Sequence, residues 1–280
     1  MDYRLIVDTA CDLTKEMEED YKILSVPFKI DIDEREYVDD ENLDIDGFLN
    51  AMKNSPNPIR TSCPAPFDYL EKMKECEEEI ILILTISSKL SGSYNSAIVA
   101  RDEYLEECPN SKVFVLDSKS AAAGETLVAL EILSVMSEEG TVEEKIEKIE
   151  KYIDNNHTFF ILESLDNLIK NGRIKKTAGL IANVLNIRPI MVAEDGEISL
   201  YEMNRGFKKS LTKLATAIGK FGDDFSNRTL VISHVDAIEK AKDFEKRVKE
   251  LYNFGKILIL QSRGLSSGYA DNGGIVIGFN

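Results

Sequence analysis

Apolar residues in this chain come in short unbroken runs, separated by longer stretches in which they recur every three or four positions. A short run fits a strand covered on both faces, and the second spacing fits a helix with one apolar stripe. Tyr3 to Val7 is the first run, and it passes into Asp8, Thr9, Ala10, Cys11 and Asp12, small and polar residues that suit a helix cap. Ile80 to Ile86 is the second, followed by a loop holding Ser87, Ser88, Ser91, Gly92 and Ser93. Tyr94, Ala97, Ile98 and Leu105 then mark a helix. Lys112 to Leu116 leads in the same way through Asp117, Ser118, Lys119 and Ser120 to a helix over 125–136.

Between the first two runs the chain is less regular. Residues 21–32 read as extended, and 31–44 as an acidic surface hairpin or loop, part of an insertion near 29–50. A helical pattern over 46–52 precedes NSPNPIRTSCPAPF, whose four prolines forbid regular helix and place Thr61, Ser62 and Cys63 in a stiff loop. Phe67, Leu70 and Met73 then open another helix. Strand, polar turn and helix in repeated alternation imply a parallel sheet covered by helices, an α/β fold. The turns at Asp8, Thr61, Ser88 to Ser93 and Asp117 to Ser120 converge at one edge of such a sheet, where ligands bind.

Thr141 with Glu144 forms a capping box, and Glu144 with Lys148 and Glu147 with Lys151 are favourable pairs, so 142–154 is a surface helix. Asp154, Asn155 and Asn156 break it. We place a boundary there, giving an N-terminal parallel-sheet α/β domain over 1–156 and a C-terminal α+β domain over 157–280. In the second, strands are expected at 158–162, 188–193, 197–203, 229–233, 257–260 and 274–279, with Glu194, Asp195 and Gly196 as a turn. Helices fit 164–171, 177–186, 207–221 and 236–252.

Composition removes several function classes. The formal charge of the 280 residues is −16, which disfavours nucleic acid as partner. The charge is uneven: Lys170 to Lys213 holds nine basic and four acidic residues, a net +5 that leaves −21 elsewhere. That segment is either a solvated face or a site for an anionic group or acidic partner. No apolar run reaches the ~20 residues that span a bilayer, and the charged start does not read as a signal peptide, so a cytoplasmic protein without stable membrane insertion is expected. Cys11, Cys63, Cys76 and Cys108 show no CxxC spacing, which fits reduced thiols and argues against zinc.

Recognisable catalytic patterns are missing: no P-loop, no GxGxxG after a strand, no GxSxG and no HExxH. His234 with Asp236 is an oriented base or, more commonly, a structural histidine at a strand end. A Ser, His, Asp set has no motif behind it. Asp8, Asp12 and Asp117 are magnesium ligands or helix caps. The serine loop ends at a helix N-terminus, where unpaired N–H groups and the helix dipole suit a phosphate or a carboxylate. The plain alternative is that Ser91 only caps the helix. Leu180, Ile181, Val184, Leu185 and Ile187 either belong to a buried helix or line an apolar pocket whose ligand rests an acidic head in the hydroxyl loops.

At these residues the chain resembles the DegV family of fatty-acid-binding proteins, over essentially its whole length. IVDTACDLT, RTSCPAP, ISSKLSGSYNSA, VLDSKSAAAG, ESLDNLIKNGRI, LNIRPIM, DGEI and NRGFKKS match in order. The resemblance implies a long-chain fatty acid between the domains, on the order of C16 to C18, with no other cofactor and no metal. It implies that the carboxylate is held by Thr61, Ser62 and Ser93, with Ser91 and Gly92 beside them, and that Arg173 and Arg205 lie near the exposed head group. It implies a carrier without catalysis of its own, which presents the acyl chain to a separate fatty acid kinase for phospholipid metabolism. Many members carry a histidine followed by GPG near the carboxylate. Here the stretch is SSGYADNGG, and Tyr269 stands at the histidine's place, with a hydroxyl but no positive charge. Two readings compete: a dihydroxyacetone-kinase-like phosphotransfer subunit acting on a small polar metabolite, and an interaction protein docking through its basic segment.

Overall fold

The fold is that of a computed structural model, which describes residues 2–174 and 186–280. In chain order the elements are β1 (Tyr3–Asp8), α1 (Lys15–Tyr21), β2 (Leu24–Val26), β3 (Lys29–Ile32), β4 (Arg35–Val38), α2 (Ile45–Asn54), β5 (Arg60–Ser62), α3 (Pro66–Lys74), β6 (Ile80–Thr85), α4 (Ser93–Glu107), β7 (Lys112–Asp117), α5 (Ala123–Met136) and α6 (Val142–Asp154). They continue as β8 (His157–Ile161), α7 (Asp166–Lys170), β9 (Ile190–Glu194), β10 (Glu197–Glu202), α8 (Phe207–Ile218), β11 (Thr229–His234), α9 (Ile238–Leu251), β12 (Lys256–Gln261), α10 (Gly264–Ala270) and β13 (Ile275–Phe279). Residues 177–185 of the helix expected over 177–186, with the side chains of Leu180, Ile181, Val184 and Leu185, lie outside the described residues, and Asn186 is a turn at positive φ.

The three long apolar runs form the centre and edge of an all-parallel sheet of order β2-β1-β6-β7. Side chains alternate across it as the pleat requires. Leu5, Val7, Leu82 and Leu84 face α5 and α6, while Ile6, Ile81 and Ile83 face α3 and α4. Burial on both faces is why these strands read as unbroken apolar runs. A second sheet of order β10-β9-β8-β13-β11-β12 is mixed, with only β11 and β12 parallel. The β9–β10 hairpin turns through Asp195 and Gly196, both at positive φ, as a tight two-residue hairpin demands. Helices α8 and α9 cover one face of this sheet.

Helix α5 is apolar nearly all round because it is covered nearly all round. Val128, Ala129 and Ile132 pack toward the parallel sheet, and Ala122, Ala123 and Leu127 toward the mixed one. The approach is closest at β13, where Gly278 faces Ala123 and Gly124. A Cβ on Gly278 would lie 2.7 Å from the Ala123 carbonyl oxygen and 2.7 Å from Gly124 Cα.

A third, antiparallel sheet has the order β4-β3-β5, so the acidic hairpin is present as β3 and β4, with β5 added from Arg60–Ser62. One expectation fails here. Arg60 to Ser62 is an edge strand paired to β3, not an irregular loop. All four prolines of the segment lie outside those three residues, and Pro66 opens α3, where a missing N–H costs nothing. Helix α10 has no counterpart in the expected elements. Of the two helix pairs expected on α6, Glu147 bonds Lys151, whereas Lys148 turns to Glu138 and Glu144 closes the capping box.

Gly278→Ala should therefore lower stability by about 1–3 kcal/mol, because backbone rather than a flexible side chain blocks the new methyl. A urea midpoint equal to the parent's, at unchanged slope, would show that α5 and β13 are not held this close.

Candidate functional site

The C-terminal ends of β1, β6 and β7 do bring their loops together. Asp8 accepts hydrogen bonds from Ala10 N at 3.1 Å, Ile86 N at 3.0 Å and Ser93 Oγ at 2.6 Å. Ser88 N donates to Asp117 Oδ1 at 3.1 Å, Ser87 N to the Ser120 carbonyl at 2.8 Å and Ala122 N to the Ala10 carbonyl at 2.8 Å. The mixed sheet joins in, since Ser87 Oγ donates to the Gly196 carbonyl at 2.7 Å.

Above these loops lies a cavity between the sheets, with about 850 Å³ of non-atom space, its open mouth included. Its walls are chiefly hydrocarbon: Phe28, Ile86, Leu90, Phe160, Leu162 and Leu265 are among them. Polar groups gather in two places. At one, Thr61 Oγ1 and Tyr269 Oη share a hydrogen bond of 2.8 Å, and the Arg173 guanidinium lies 5.8 Å from the Tyr269 ring centre. Arg173 is held by its own donations to the Leu90 carbonyl at 3.2 Å and to the Asn171 carbonyl. Ser91 also lines the cavity, its Oγ accepting from Ser93 N at 3.2 Å. At the other place Ser120 and Thr158 bond each other at 2.7 Å, and Lys119 is paired with Asp154 at 2.6 Å.

Of the eight residues singled out from the sequence, four line this cavity: Thr61, Ser91, Arg173 and Tyr269. Ser62 is exposed, as the alternation of a strand requires when Thr61 points inward. Gly92 is exposed and is itself the N-cap of α4, so Ser91 is one residue early for that role, though its hydroxyl still satisfies the first helical N–H. Arg205 is exposed and does not line the cavity. Ser93 is fully buried away from the cavity lining, with its hydroxyl given to Asp8 and bonded to Tyr69 Oη at 2.7 Å. His234 is structural in kind: its Nδ1 accepts from Ala237 N at 3.2 Å, next to the start of α9, and burial lowers its pKa. Among the described residues no cluster of His, Cys, Asp or Glu could hold a metal ion, and no helix is long and apolar enough to cross a membrane.

The sequence profile of the family described as "Uncharacterised protein, DegV family" matches residues 2–275. A DegV domain-containing protein of Streptococcus pneumoniae is 33% identical over 283 residues, covering 100% of this chain and 99% of its own. A DegV-family crystal structure from Ruminococcus gnavus, with vaccenic acid, is 37% identical at a TM-score of 0.92, covering 99% of each chain. The Streptococcus pneumoniae fatty acid kinase B3 protein, loaded with linoleic acid, is 32% identical at a TM-score of 0.92, covering 100% of this chain and 99% of its own.

Carboxyl groups buried beside the site were not anticipated. Asp8, Asp12 and Glu125 are fully buried and Asp39 is 1% exposed. Burial pushes Asp8 up to about 6 in spite of its three donors, and Asp12 up to about 6 against the Arg263 N–H at 2.9 Å. Glu125 is raised well above the ordinary range, first by burial and then by the charge of Asp8. Neither of its oxygens has a hydrogen-bond partner, so uncompensated burial and the nearby Asp8 both favour the neutral acid over the carboxylate. An acid in the first turn of a helix made mostly of small and apolar residues was the available signal, whereas the helix's other acid, Glu131, is only partly buried.

Burial and the charge of Asp8 hold the Glu125 pKa in the folded chain well above the ordinary value of 4.5 expected for the unfolded one. Its contribution to stability is thus complete below that value and is lost as pH rises, by about 1.4 kcal/mol per pH unit. Glu125→Gln, which mimics the protonated form, should shrink the fall in unfolding free energy between pH 5 and pH 7.5. Equal pH dependence in parent and variant would mean that Glu125 is ionised in the fold.

Proposed function

The chain belongs to the DegV family, and we propose that it is a carrier that binds a long-chain fatty acid in the cavity between its sheets and presents the head group to a separate fatty acid kinase. The observation that supports this most is the cavity wall, almost all hydrocarbon, with hydroxyls and one guanidinium collected at Thr61, Ser91, Tyr269 and Arg173. A small polar metabolite would leave that wall unfilled and gain nothing from it. A buried acyl chain gains about 0.8 kcal/mol per methylene, ~12 kcal/mol for fifteen, before the cost of association. The head-group bonds contribute about 1–3 kcal/mol each and fix orientation more than affinity.

In this reading the carboxylate takes the place that Thr61 and Tyr269 now fill for each other, and Arg173 supplies the charge that Tyr269 lacks. Ser93 serves by holding the serine loop to Asp8. The kinase partner is suggested by the likeness to the fatty acid kinase B3 protein, with Arg173 and exposed Arg205 as the basic groups it would meet. The boundary near residue 156 separates the two halves that enclose the ligand. No catalytic step is assigned to this chain.

Protein recovered from cells under native conditions should yield one long-chain fatty acid per chain by mass spectrometry. Thr61→Ala should retain the fold and bind that acid more weakly by about 1–3 kcal/mol. A chain reproducibly empty under native extraction would contradict the proposal.

A further inference from the structure

We propose that Asp39 is a positioning residue for the ligand's head group, acting through helix α10; the inference rests on the fatty-acid reading above. Asp39 follows β4 in the segment whose acidity reads as a solvated hairpin, yet it is buried. Its two oxygens accept from Gly264 N and Leu265 N, each at 2.8 Å, across more than two hundred residues of sequence. Those are the first two residues of α10, which has no side-chain cap of its own. Arg263, just before it, is tied to the same region by its N–H to Asp12 and by its guanidinium to Glu18.

Helix α10 is seven residues of sequence GLSSGYA. With two glycines and two serines in so short a segment, it has no intrinsic stability to place it. Its position comes from what holds its ends and faces. Gly264 sits so close that a Cβ would lie 2.7 Å from Asp39 Oδ1, and one on Gly268 would lie 2.7 Å from Ile59 Cδ1. Ile59 precedes β5, the strand that carries Thr61, and Asp39 N donates to the Phe28 carbonyl at 2.9 Å, just before β3. The small antiparallel sheet therefore carries both Thr61 and the clamp on the helix that carries Tyr269. The Thr61–Tyr269 separation of 2.8 Å is set by that docking. Asp39 touches no ligand; it fixes the two hydroxyls that do.

Asp39→Asn keeps the shape but leaves one acceptor oxygen for two N–H groups. Binding of palmitic acid and of methyl palmitate should be measured for parent and variant, with thermal unfolding of each. A positioning role predicts that the free acid loses about tenfold in affinity, the size of one displaced hydrogen bond to the carboxylate, while the ester loses little. The same loss should largely vanish in a Tyr269→Phe background. Gly264→Ala, whose methyl would press on Asp39 and Leu43 and lift α10 from this clamp, should reproduce the acid-selective loss. Equal losses for acid and ester in both variants would mean that Asp39 only supports the fold and would overturn the inference alone. A parent that binds neither compound would overturn the reading of function, and this inference with it.

Discussion

The carboxylate of Asp8 lies at the end of β1 with no water to solvate it, and the neighbouring loops are arranged around meeting its needs. Two backbone N–H groups and the Ser93 hydroxyl supply hydrogen bonds, and the neighbouring Glu125 is pushed toward its neutral form by burial and by the charge of Asp8. Those bonds draw the turn after β1, the turn after β6 and the start of α4 to one point. They also decide which serine faces the cavity. Ser93 is committed to Asp8, so the hydroxyl left at the lining is that of Ser91. An uncompensated buried charge costs several kcal/mol, whereas moving one serine out of a ligand's reach costs far less.

The second constraint is that α5 has a sheet on each side. Because both faces of this helix are used, the parallel and mixed sheets cannot separate without exposing it, and the loops at its N-terminal end are enclosed between them. The cavity forms there, floored by residues 120–122 and walled by β8, β13 and α10. Its polar end is completed from the small third sheet, which reaches across to α10 through Asp39. The cavity lining therefore comes from elements far apart in sequence, each held by bonds remote from the cavity.

How much of this could be read from sequence follows from what sets each element. Strands β1, β6 and β7 are buried on both faces, and their unbroken apolar runs say so directly. The β9–β10 turn is legible because Asp195 and Gly196 tolerate positive φ. Helix α10 was not legible, since the two glycines and two serines of GLSSGYA outweigh Leu265 and Ala270 as helix formers and the N–H groups that fix it bond to Asp39 and Asp12. β5 was hidden by the prolines on either side of it, and with it the alternation that turns Thr61 inward and Ser62 outward. Ser91 and Ser93 could not be told apart without knowing that Asp8 claims one of them. Arg173 and Tyr269 entered through family likeness rather than pattern. Asp39 was masked by exposed acids on either side, because a charge run does not reveal which member is buried.

The claim on which the account turns is that one end of an apolar cavity is built for a carboxylate. A crystal structure of the protein loaded with palmitic acid tests it most directly. The carboxylate should lie within hydrogen-bond distance of Thr61 and Tyr269, near Arg173, with the chain running between Ile86, Leu90, Phe160 and Leu162. A carboxylate found instead beside Lys119, Ser120 and Thr158, with the methyl end at Thr61, would contradict it.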